Sequence, residues 1–321
     1  TQRRGGRGAM GGKTRQEDYI DQLFIASTHS TLLFFTDNGR CHWLKVYEIP
    51  QGEKNSMGRA IQNVLQLPPG EKIKTILTVG NLANEEYVNN HFIVLCTKQG
   101  IIKKTRLKDF SRPRQSGVNA ITINEGDTLL EAALTDGNCF IMLAVKSGRA
   151  IRFEEEKVRP TGRGAIGVTG IEVDDLTDEV VGMACVNKED KTKTILVVSE
   201  KGYGKRTNID SYRITNRGGK GVKTINVTEK TGCLVALKDV TDNHDLMIIT
   251  QAGNILRIPV SGIRLMGRAT QGVKLINLKE NDSIASVACV EINEESEENE
   301  EEENNSSGEE IQKDNEIGKE F

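Results

Sequence analysis

Aromatic residues and long apolar runs are both scarce in this chain. Phenylalanine, tyrosine and tryptophan together make up 4% of its 321 residues, so the hydrophobic core must be largely aliphatic. No apolar run approaches the roughly 18 residues that a membrane-spanning helix requires, and no signal-peptide pattern is visible. We therefore expect a cytoplasmic protein without a membrane partner.

Cysteine and histidine occur without the spacing of a metal site or a disulfide framework. The 6 cysteines form no C-x-x-C pair, and the 4 histidines are scattered. Most cysteines stand inside apolar segments, which is typical of buried, reduced thiols in an intracellular protein. No Ser/His/Asp or Cys/His arrangement stands out, so we expect no metal, no cofactor and no catalytic residue in this chain.

The sequence does contain a repeated pattern, in which an apolar run ends at a glycine and continues into a second strand-like segment. Spacings of about 50 residues between strand-rich repeats are typical of propellers and related closed β-arrays. Glycine at this point fits a hairpin position that needs a positive φ. The glycines are Gly39, Gly100, Gly148, Gly202 and Gly253.

Each repeat predicts four short strands: the two strands of the hairpin, a Val-x-x-Ile segment and a final apolar run. We therefore predict an all-β, propeller-like fold over residues 1–290. The first unit, 1–30, lacks its opening hairpin, so we expect the chain to begin inside a repeat. The five further units are predicted at 31–82, 91–135, 139–187, 193–241 and 245–290.

An arginine- and glycine-rich loop precedes the third strand of each unit. An arginine stands four residues before a closing residue at Arg59, Arg163, Arg217 and Arg268, and in one copy Arg112 and Arg114 flank a proline instead. A second basic position lies four residues after the hairpin glycine in four of five copies, at Lys104, Arg152, Arg206 and Arg257. The first copy has Trp43 at that position.

The net charge of −3 conceals two oppositely charged regions. Residues 1–290 carry 41 basic and 32 acidic side chains, whereas residues 291–321 carry 14 acidic and 2 basic ones. So acidic a tail has little to bury, and we expect it to be disordered. It either improves solubility or competes with DNA for the basic body.

Arginine loops repeated around a closed array indicate a polyanion bent around the protein. Glycine beside arginine lets backbone amides and guanidinium groups approach a phosphate together, without reading sequence. The alternative for any one arginine is an ion pair with a local acid between blades. We predict double-stranded DNA contacts at Lys13, Arg15, Arg59, Lys103, Lys104, Arg106, Arg112, Arg114, Arg152, Arg163, Lys205, Arg206, Arg217, Lys220, Arg257 and Arg268.

The N-terminal segment adds a specific motif. Residues Gln2, Arg3, Arg4, Gly5, Gly6, Arg7 and Gly8 match the pattern Q-R-R-G-G-[KR]-G, the gyrase A box. Together with the repeats, this segment resembles the C-terminal domain of the DNA gyrase A protein, a type IIA topoisomerase. The resemblance implies a six-bladed β-pinwheel with altered strand connectivity, here with a truncated first blade, and a rim that wraps DNA.

The resemblance also implies a role within a larger enzyme. The domain would be non-catalytic by itself and would let gyrase introduce negative supercoils, with the box holding the wrap. The cleavage tyrosine, ATP and Mg would belong to other domains. The implied partners are the rest of the gyrase A protein and the gyrase B protein, in a complex of two copies of each, whereas the isolated domain would be monomeric. The implied location is the bacterial cytoplasm, in association with the nucleoid.

Two alternatives stay open at this point. One is the equivalent domain of topoisomerase IV, whose box is usually degenerate, unlike the intact motif at 2–8. The other is a propeller that binds proteins, which would carry exposed aromatic residues or acidic pockets on its face instead of repeated arginines.

Overall fold

The computed structural model describes residues 26–52, 59–174, 177–279 and 282–291. The gyrase A box, Lys13, Arg15, most of the predicted partial blade and the acidic tail beyond residue 291 lie outside these residues. In the described part, no helix is long and apolar enough to cross a membrane.

The described residues contain strands and very little helix. One α-helix, α1, spans Glu85–Asn90, and short 3-10 helices span Val46–Glu48, Ile61–Asn63, Leu107–Phe110, Glu155–Lys157, Ile209–Ser211 and Val260–Gly262. The strands, in chain order, are β1 (Thr31–Thr36), β2 (Arg40–Lys45), β3 (Ile73–Val79), β4 (Phe92–Thr97), β5 (Ile101–Arg106), β6 (Val118–Asn119), β7 (Leu129–Thr135), β8 (Cys139–Val145), β9 (Arg149–Glu154), β10 (Val168–Thr169), β11 (Val180–Asn187), β12 (Thr194–Ser199), β13 (Tyr203–Asn208), β14 (Val222–Lys223), β15 (Leu234–Val240), β16 (His244–Thr250), β17 (Ile255–Pro259), β18 (Val273–Lys274) and β19 (Ile284–Glu291).

These strands form five sheets, one for each of the five full repeats. Four sheets have four strands, in the orders β3-β1-β2-β6, β7-β4-β5-β10, β11-β8-β9-β14 and β15-β12-β13-β18. The fifth has the order β17-β16-β19. The predicted all-β, propeller-like fold is confirmed, but the described residues show five blades rather than six.

The outer strand of each four-stranded sheet comes from the following repeat. For example, β6 belongs to the repeat of β4, β5 and β7, yet it pairs with β2 of the preceding repeat, with Cys41 opposite Val118. The four strands of one repeat are therefore divided between two sheets. This exchange is an altered connectivity of the kind that the resemblance implied, and it links neighbouring sheets.

The hairpin glycine makes the exchange possible. Gly39 has φ 76°, and a Cβ added there would lie 2.6 Å from the carbonyl oxygen of Ile121 in the following repeat. Its own carbonyl accepts a hydrogen bond from Ala120 N at 2.8 Å. Any side chain at this position would push the exchanged segment away.

The core lies between neighbouring sheets and around a central channel. Aliphatic side chains from adjacent hairpins form the largest cluster, with Phe35 and Phe110 in edge-to-face contact at 6.0 Å. The innermost strands, β3, β7, β11, β15 and β19, follow one another around a channel that all five line. The exchanged strands, and the arginine loops that precede them, therefore lie on the outside of the array.

Candidate nucleic-acid interface

The arginine loops, defined here as residues 112–117, 159–167, 213–221 and 264–272, lie between a 3-10 helix and an exchanged strand. Three of their predicted arginines, Arg163, Arg217 and Arg268, are partly exposed. Of the other predicted DNA contacts, Arg59, Arg106, Arg112, Arg114, Lys220 and Arg257 are exposed. Successive sheets therefore present cations at equivalent outer positions.

Glycine closes each loop against the preceding sheet. At Gly221, φ is 74° and a Cβ would lie 2.5 Å from the carbonyl oxygen of Ala150. The loop backbone thus packs directly on β9 of the neighbouring repeat. A larger residue would separate the loop from that strand and shift its arginine.

Loop guanidinium groups are oriented by backbone carbonyls of the preceding repeat. Arg217 donates from Nε to the Lys157 carbonyl and from Nη1 to the Thr169 carbonyl, both at 3.1 Å. Arg268 donates from Nη1 to the Lys223 carbonyl at 3.1 Å. Because a guanidinium carries five N–H donors, these bonds fix its direction and leave further donors for phosphate oxygens.

The basic residue four positions after the hairpin glycine donates hydrogen bonds between repeats. Lys104 donates to the Glu155 carbonyl at 3.3 Å, and Arg152 donates to the Ile209 carbonyl at 2.9 Å. Arg206 donates to the Ile263 carbonyl at 2.9 Å. Each acceptor lies in or beside the 3-10 helix of the following repeat.

Trp43 explains what this position requires. Its indole Nε1 donates to the Phe110 carbonyl at 2.9 Å, which is the equivalent bond in the first described sheet. The common property is therefore an N–H donor and not a positive charge. Lys104 and Arg152 are 5% exposed and are used between repeats, so the structure does not support their predicted contact with DNA, whereas Arg206 is partly exposed and its contact stays a prediction.

In the last sheet the same position is occupied by Arg257. No following repeat supplies a carbonyl in the described residues, and its Nε instead bonds Asp245 at 2.6 Å. Its side chain is 46% exposed, so this arginine keeps surface that a phosphate could reach.

Two further lysines lie underneath the arginine loops, one residue earlier along the strand. Lys103 donates to the carbonyls of Ala120 at 2.5 Å and Arg163 at 3.0 Å. Lys205 donates to the carbonyls of Gly267 at 2.6 Å and Arg268 at 2.5 Å. We call Lys103 and Lys205 the floor lysines.

The floor lysines do not reach the protein surface. Lys103 is 1% exposed and Lys205 is 0% exposed, because each side chain is enclosed between a strand and the loop above it. The prediction that they contact DNA directly is therefore wrong. Their position makes them supports of the loops that carry Arg163 and Arg268.

The other two arginine loops are held from the side. Arg40 donates from Nη2 to the Ser116 carbonyl, and Arg149 donates from Nη1 to the Lys220 carbonyl at 3.0 Å. Each acceptor is the residue before a closing glycine, and each arginine directly follows a hairpin glycine. We call Arg40 and Arg149 the edge arginines.

Local acids reduce the free charge near one edge-held loop. Asp174 forms an ion pair with the edge arginine Arg149, with Oδ2 2.7 Å from Nη2, and its Oδ1 lies 3.3 Å from Lys220 Nζ. Lys220 also lies 3.7 Å from Glu172. The alternative of local ion pairing, considered for any single cation, therefore applies to Lys220, although exposed pairs of this kind contribute little free energy.

The structure adds an arginine series that the sequence prediction missed. Arg159, Arg213 and Arg264 are exposed and stand four residues before Arg163, Arg217 and Arg268, respectively. The constant spacing of four was a signal in the sequence that could have found them. All four loops thus carry two arginines each, since loop 112–117 contains Arg112 and Arg114.

Exposed apolar side chains separate these arginines. Ile214 and Leu265 are each 52% exposed, and Pro160 occupies the equivalent position. The backbone beside them is anchored, because Thr215 N and Met266 N donate to the carbonyls of Arg152 and Arg206 at 2.9 and 2.8 Å. The loop surface therefore combines cations with small apolar contacts on a fixed backbone.

The described residues include one group of side chains with metal-ligating atoms, Asp136, Cys139 and Glu155, and these already bond within the protein. Glu155 accepts from Thr135 Oγ1 at 2.7 Å and from Cys139 N at 3.2 Å. Burial raises the pKa of the Cys139 thiol to about 12, so it stays protonated. The group orders the 3-10 helix at Glu155 and is a poor ligand set.

The repeats match a known family model over most of their length. The model is described as the DNA gyrase C-terminal domain, a β-propeller, and it matches residues 30–79, 91–136, 140–187, 193–239 and 244–291. Each match covers the three long strands of one sheet, except for the first residue of β8 and the last residue of β15.

Similar sequences are DNA gyrase A proteins. The chain is 43% identical over 297 residues to that of Staphylococcus epidermidis, covering 92% of this chain and 32% of the relative. It is also 43% identical over 298 residues to that of Staphylococcus aureus, covering 92% of this chain and 33% of the relative. The chain thus spans about a third of the length of these relatives.

Solved structures agree with this assignment. A DNA gyrase A C-terminal domain is 26% identical with a TM-score of 0.77, covering 90% of this chain and 92% of that one. The C-terminal domain of a DNA topoisomerase IV has a TM-score of 0.74 at 23% identity, over 88% and 85% of the two chains, which supports the fold alone. From its five matched repeats and its fold, the chain belongs to the DNA gyrase C-terminal domain family.

Proposed function

We propose that this domain binds, bends and chirally wraps double-stranded DNA around its outer surface, without sequence preference. The observation that supports this most directly is the recurrence of arginine loops at equivalent outer positions of successive sheets. Loop backbones anchored to the preceding repeat hold these cations at fixed spacing, as a wrap requires.

The energy of bending sets how many contacts are needed. A bend of about 180° over roughly 30 base pairs costs about 10–15 kcal/mol on a smooth-rod estimate. One loop cannot offset this cost, whereas roughly ten phosphate contacts spread over several loops can. Exposed Arg159, Arg213 and Arg264 add cations to the arginines first predicted, which brings the surface closer to that number.

Within the whole enzyme, the domain acts as the non-catalytic part that allows gyrase to introduce negative supercoils. It works with the rest of the gyrase A protein and with the gyrase B protein, in a complex of two copies of each. Cleavage by a tyrosine and the use of ATP and Mg belong to other domains. The remaining proposals are that the isolated domain is monomeric and that the enzyme is associated with the bacterial nucleoid.

The gyrase A box at 2–8 has a separate proposed role, which is to hold the wrap in its chiral path. Alanine at Arg3, Arg4 and Arg7 together should abolish supercoiling by the full enzyme, while DNA affinity of the 321-residue chain stays within about twofold. An equal loss of affinity and supercoiling would contradict this division.

DNA topology tests the proposal directly. A plasmid is first bound by the full 321-residue chain and is then nicked and resealed while the protein is bound. After the protein is removed, the plasmid should retain writhe of positive sign. The affinity should fall with salt with a log–log slope of about −9 if about ten phosphates are engaged. Tight binding without any trapped writhe would leave a DNA-binding domain that does not wrap.

A further inference from the structure

The floor lysines are buried cations that form no ion pair within the described residues, although Asp109 acts on Lys103 from a longer distance. In the part of the chain that the structure describes, no carboxylate oxygen lies within 4.0 Å of the ammonium group of Lys103 or Lys205. Each ammonium is instead surrounded by neutral oxygens, which for Lys205 are two carbonyls and Thr270 Oγ1 at 3.1 Å. A buried charge with neutral partners keeps its full field.

Each ammonium bonds the arginine loop of the following repeat. Both carbonyl partners of Lys205 lie in loop 264–272, whereas Lys103 bonds Arg163 in loop 159–167 and also Ala120 in its own repeat. Lys103 bonds the carbonyl of Arg163 itself, and Lys205 bonds the carbonyl of Arg268 itself. Without the lysine, these inward-facing carbonyls would lose their donor, which costs about 1–3 kcal/mol for each buried group. The loop would then have to shift to find water.

We propose that Lys103 and Lys205 are positioning residues for DNA binding: each ammonium fastens an arginine loop of the following repeat and adds unpaired positive charge beneath it. This inference rests on the DNA-wrapping function proposed above. The lysines act through the loops and do not touch DNA themselves.

Their titration fits this role. Burial lowers the pKa of both lysines to about 8. The charged groups that face Lys103 are Asp109, which raises its pKa, and Arg163, which lowers it, while Arg268 faces Lys205 and lowers its pKa. A phosphate at the loop opposes these effects, so DNA binding above pH 8 should take up protons.

Matched variants of the full 321-residue chain test the proposal. Lys205→Met and Lys103→Met should each lower the affinity for a 40-base-pair duplex about tenfold at constant salt. Lys191→Met removes the same charge from an exposed turn and should lower it at most about twofold. Equal effects of the floor and turn variants would overturn the proposal.

Hydrogen exchange separates loop positioning from DNA binding, because it needs no DNA. Backbone amides at 268–272 should exchange at least about tenfold faster in Lys205→Met, while amides of β8 stay unchanged. Unchanged loop exchange would overturn the proposal even if affinity fell. Failure of the wild-type chain to bind DNA, with loop exchange still accelerated in the variant, would instead refute the proposed function.

Calorimetry supplies a readout on the wild-type chain, so it does not depend on whether a variant folds. In buffers of different ionisation enthalpy at pH 8.5, DNA binding should be accompanied by net proton uptake. The uptake should be absent at pH 6.5, where both lysines are already charged. No uptake at pH 8.5 would contradict the placement of these charges beneath the DNA-binding loops.

Discussion

Two kinds of arginine loop alternate around the array, and they differ in how the preceding sheet holds them. The edge arginines Arg40 and Arg149 hold loops 112–117 and 213–221 from the side, and neutral residues lie beneath. The floor lysines hold loops 159–167 and 264–272 from below. Each loop thus receives one cation from its neighbour, at one of two places.

The two solutions have different electrostatic consequences. Arg149 pairs with Asp174 at 2.7 Å and lies 3.6 Å from Asp178, and Arg40 lies 3.7 Å from Glu71. The edge arginines are therefore largely neutralised, whereas the floor lysines are not. All four loops are rich in arginine and glycine, but the positive electrostatic potential that they present to DNA should be stronger where a floor lysine lies beneath the loop.

Beneath the edge-held loops, the positions equivalent to the floor lysines carry neutral side chains. Ile151 lies 2% exposed below loop 213–221, and His42 lies 2% exposed below loop 112–117. Burial lowers the pKa of His42, while Glu71 opposes that effect. The His42 ring is therefore neutral near pH 7 and leaves Arg40 as the cation that holds this loop.

The largest expected effect comes from placing a floor lysine under an edge-held loop. Ile151→Lys should lower the unfolding free energy by about 3–5 kcal/mol, because the buried ammonium would find an apolar site beside the positive Arg149. Urea unfolding of the full chain measures this. The control Ile151→Met should cost less than about 1.5 kcal/mol.

A double variant sharpens the same comparison. Adding Arg149→Tyr to Ile151→Lys copies the arrangement at Tyr203 and Lys205, and it should recover part of the lost stability. If Ile151→Lys cost less than about 1 kcal/mol, the two loop types would be interchangeable and the comparison would fail.

The second effect is a pH dependence that belongs to the floor lysines alone. Their folded-state pKa of about 8 is below the unfolded value of 10.5, so the unfolded chain binds more protons between these pH values. The penalty of burying the charge is complete below pH 8 and is relieved as pH rises to 10.5. Unfolding free energy of the wild type should therefore rise, relative to Lys103→Met/Lys205→Met, by about 3 kcal/mol between pH 8 and 9.5, with about half of the rise from each lysine.

Denaturant unfolding in matched buffers checks that sign. The variant Lys191→Met, with its exposed lysine removed, should follow the wild type across the same range. A difference that shrinks as pH rises would mean that the charged lysines stabilise the fold, contrary to this account.

The smallest expected effect concerns the acids of an edge-held loop. Asp174→Asn should tighten DNA binding about threefold at low salt, because it frees the charges of Arg149 and Lys220. Fluorescence anisotropy at several salt concentrations should show the gain vanish as salt rises. Asp190→Asn, at a partly exposed position away from the loops, is the matched control and should leave the affinity within about 1.5-fold.

Much of the fold could be predicted from the sequence because hairpin signals are local. Gly39 and its equivalents, each after an apolar run, identified the hairpins, and the arginine loops were found between them. The strand pattern alone could not predict the exchange, which only the family resemblance implied, because a short segment such as Val118–Asn119 has the same pattern whichever sheet it joins. Pairing partners depend on packing between repeats.

The main error in the predicted site was to treat basic residues that the structure shows to be buried as if they were exposed. Consecutive residues of a strand face opposite sides, so Lys103 and Lys104 could not both point toward a ligand. Both sides of β5 are nevertheless enclosed, one by an arginine loop and the other by a 3-10 helix. Only Trp43 hinted that donation, and not charge, was the common requirement.

Exchange of the outer strands has a mechanical consequence for a domain that bends a stiff polymer. Each arginine loop is covalently part of one repeat and is hydrogen-bonded to the sheet of its predecessor, as in Ala120 N to the Gly39 carbonyl at 2.8 Å. The elastic recoil of a curved duplex would therefore pull on the seam between two blades and be shared by two cores. A blade cannot separate from the array without breaking its hydrogen bonds to the neighbouring sheet or displacing that sheet as well, so the exchanged strands make the array resistant to this pull.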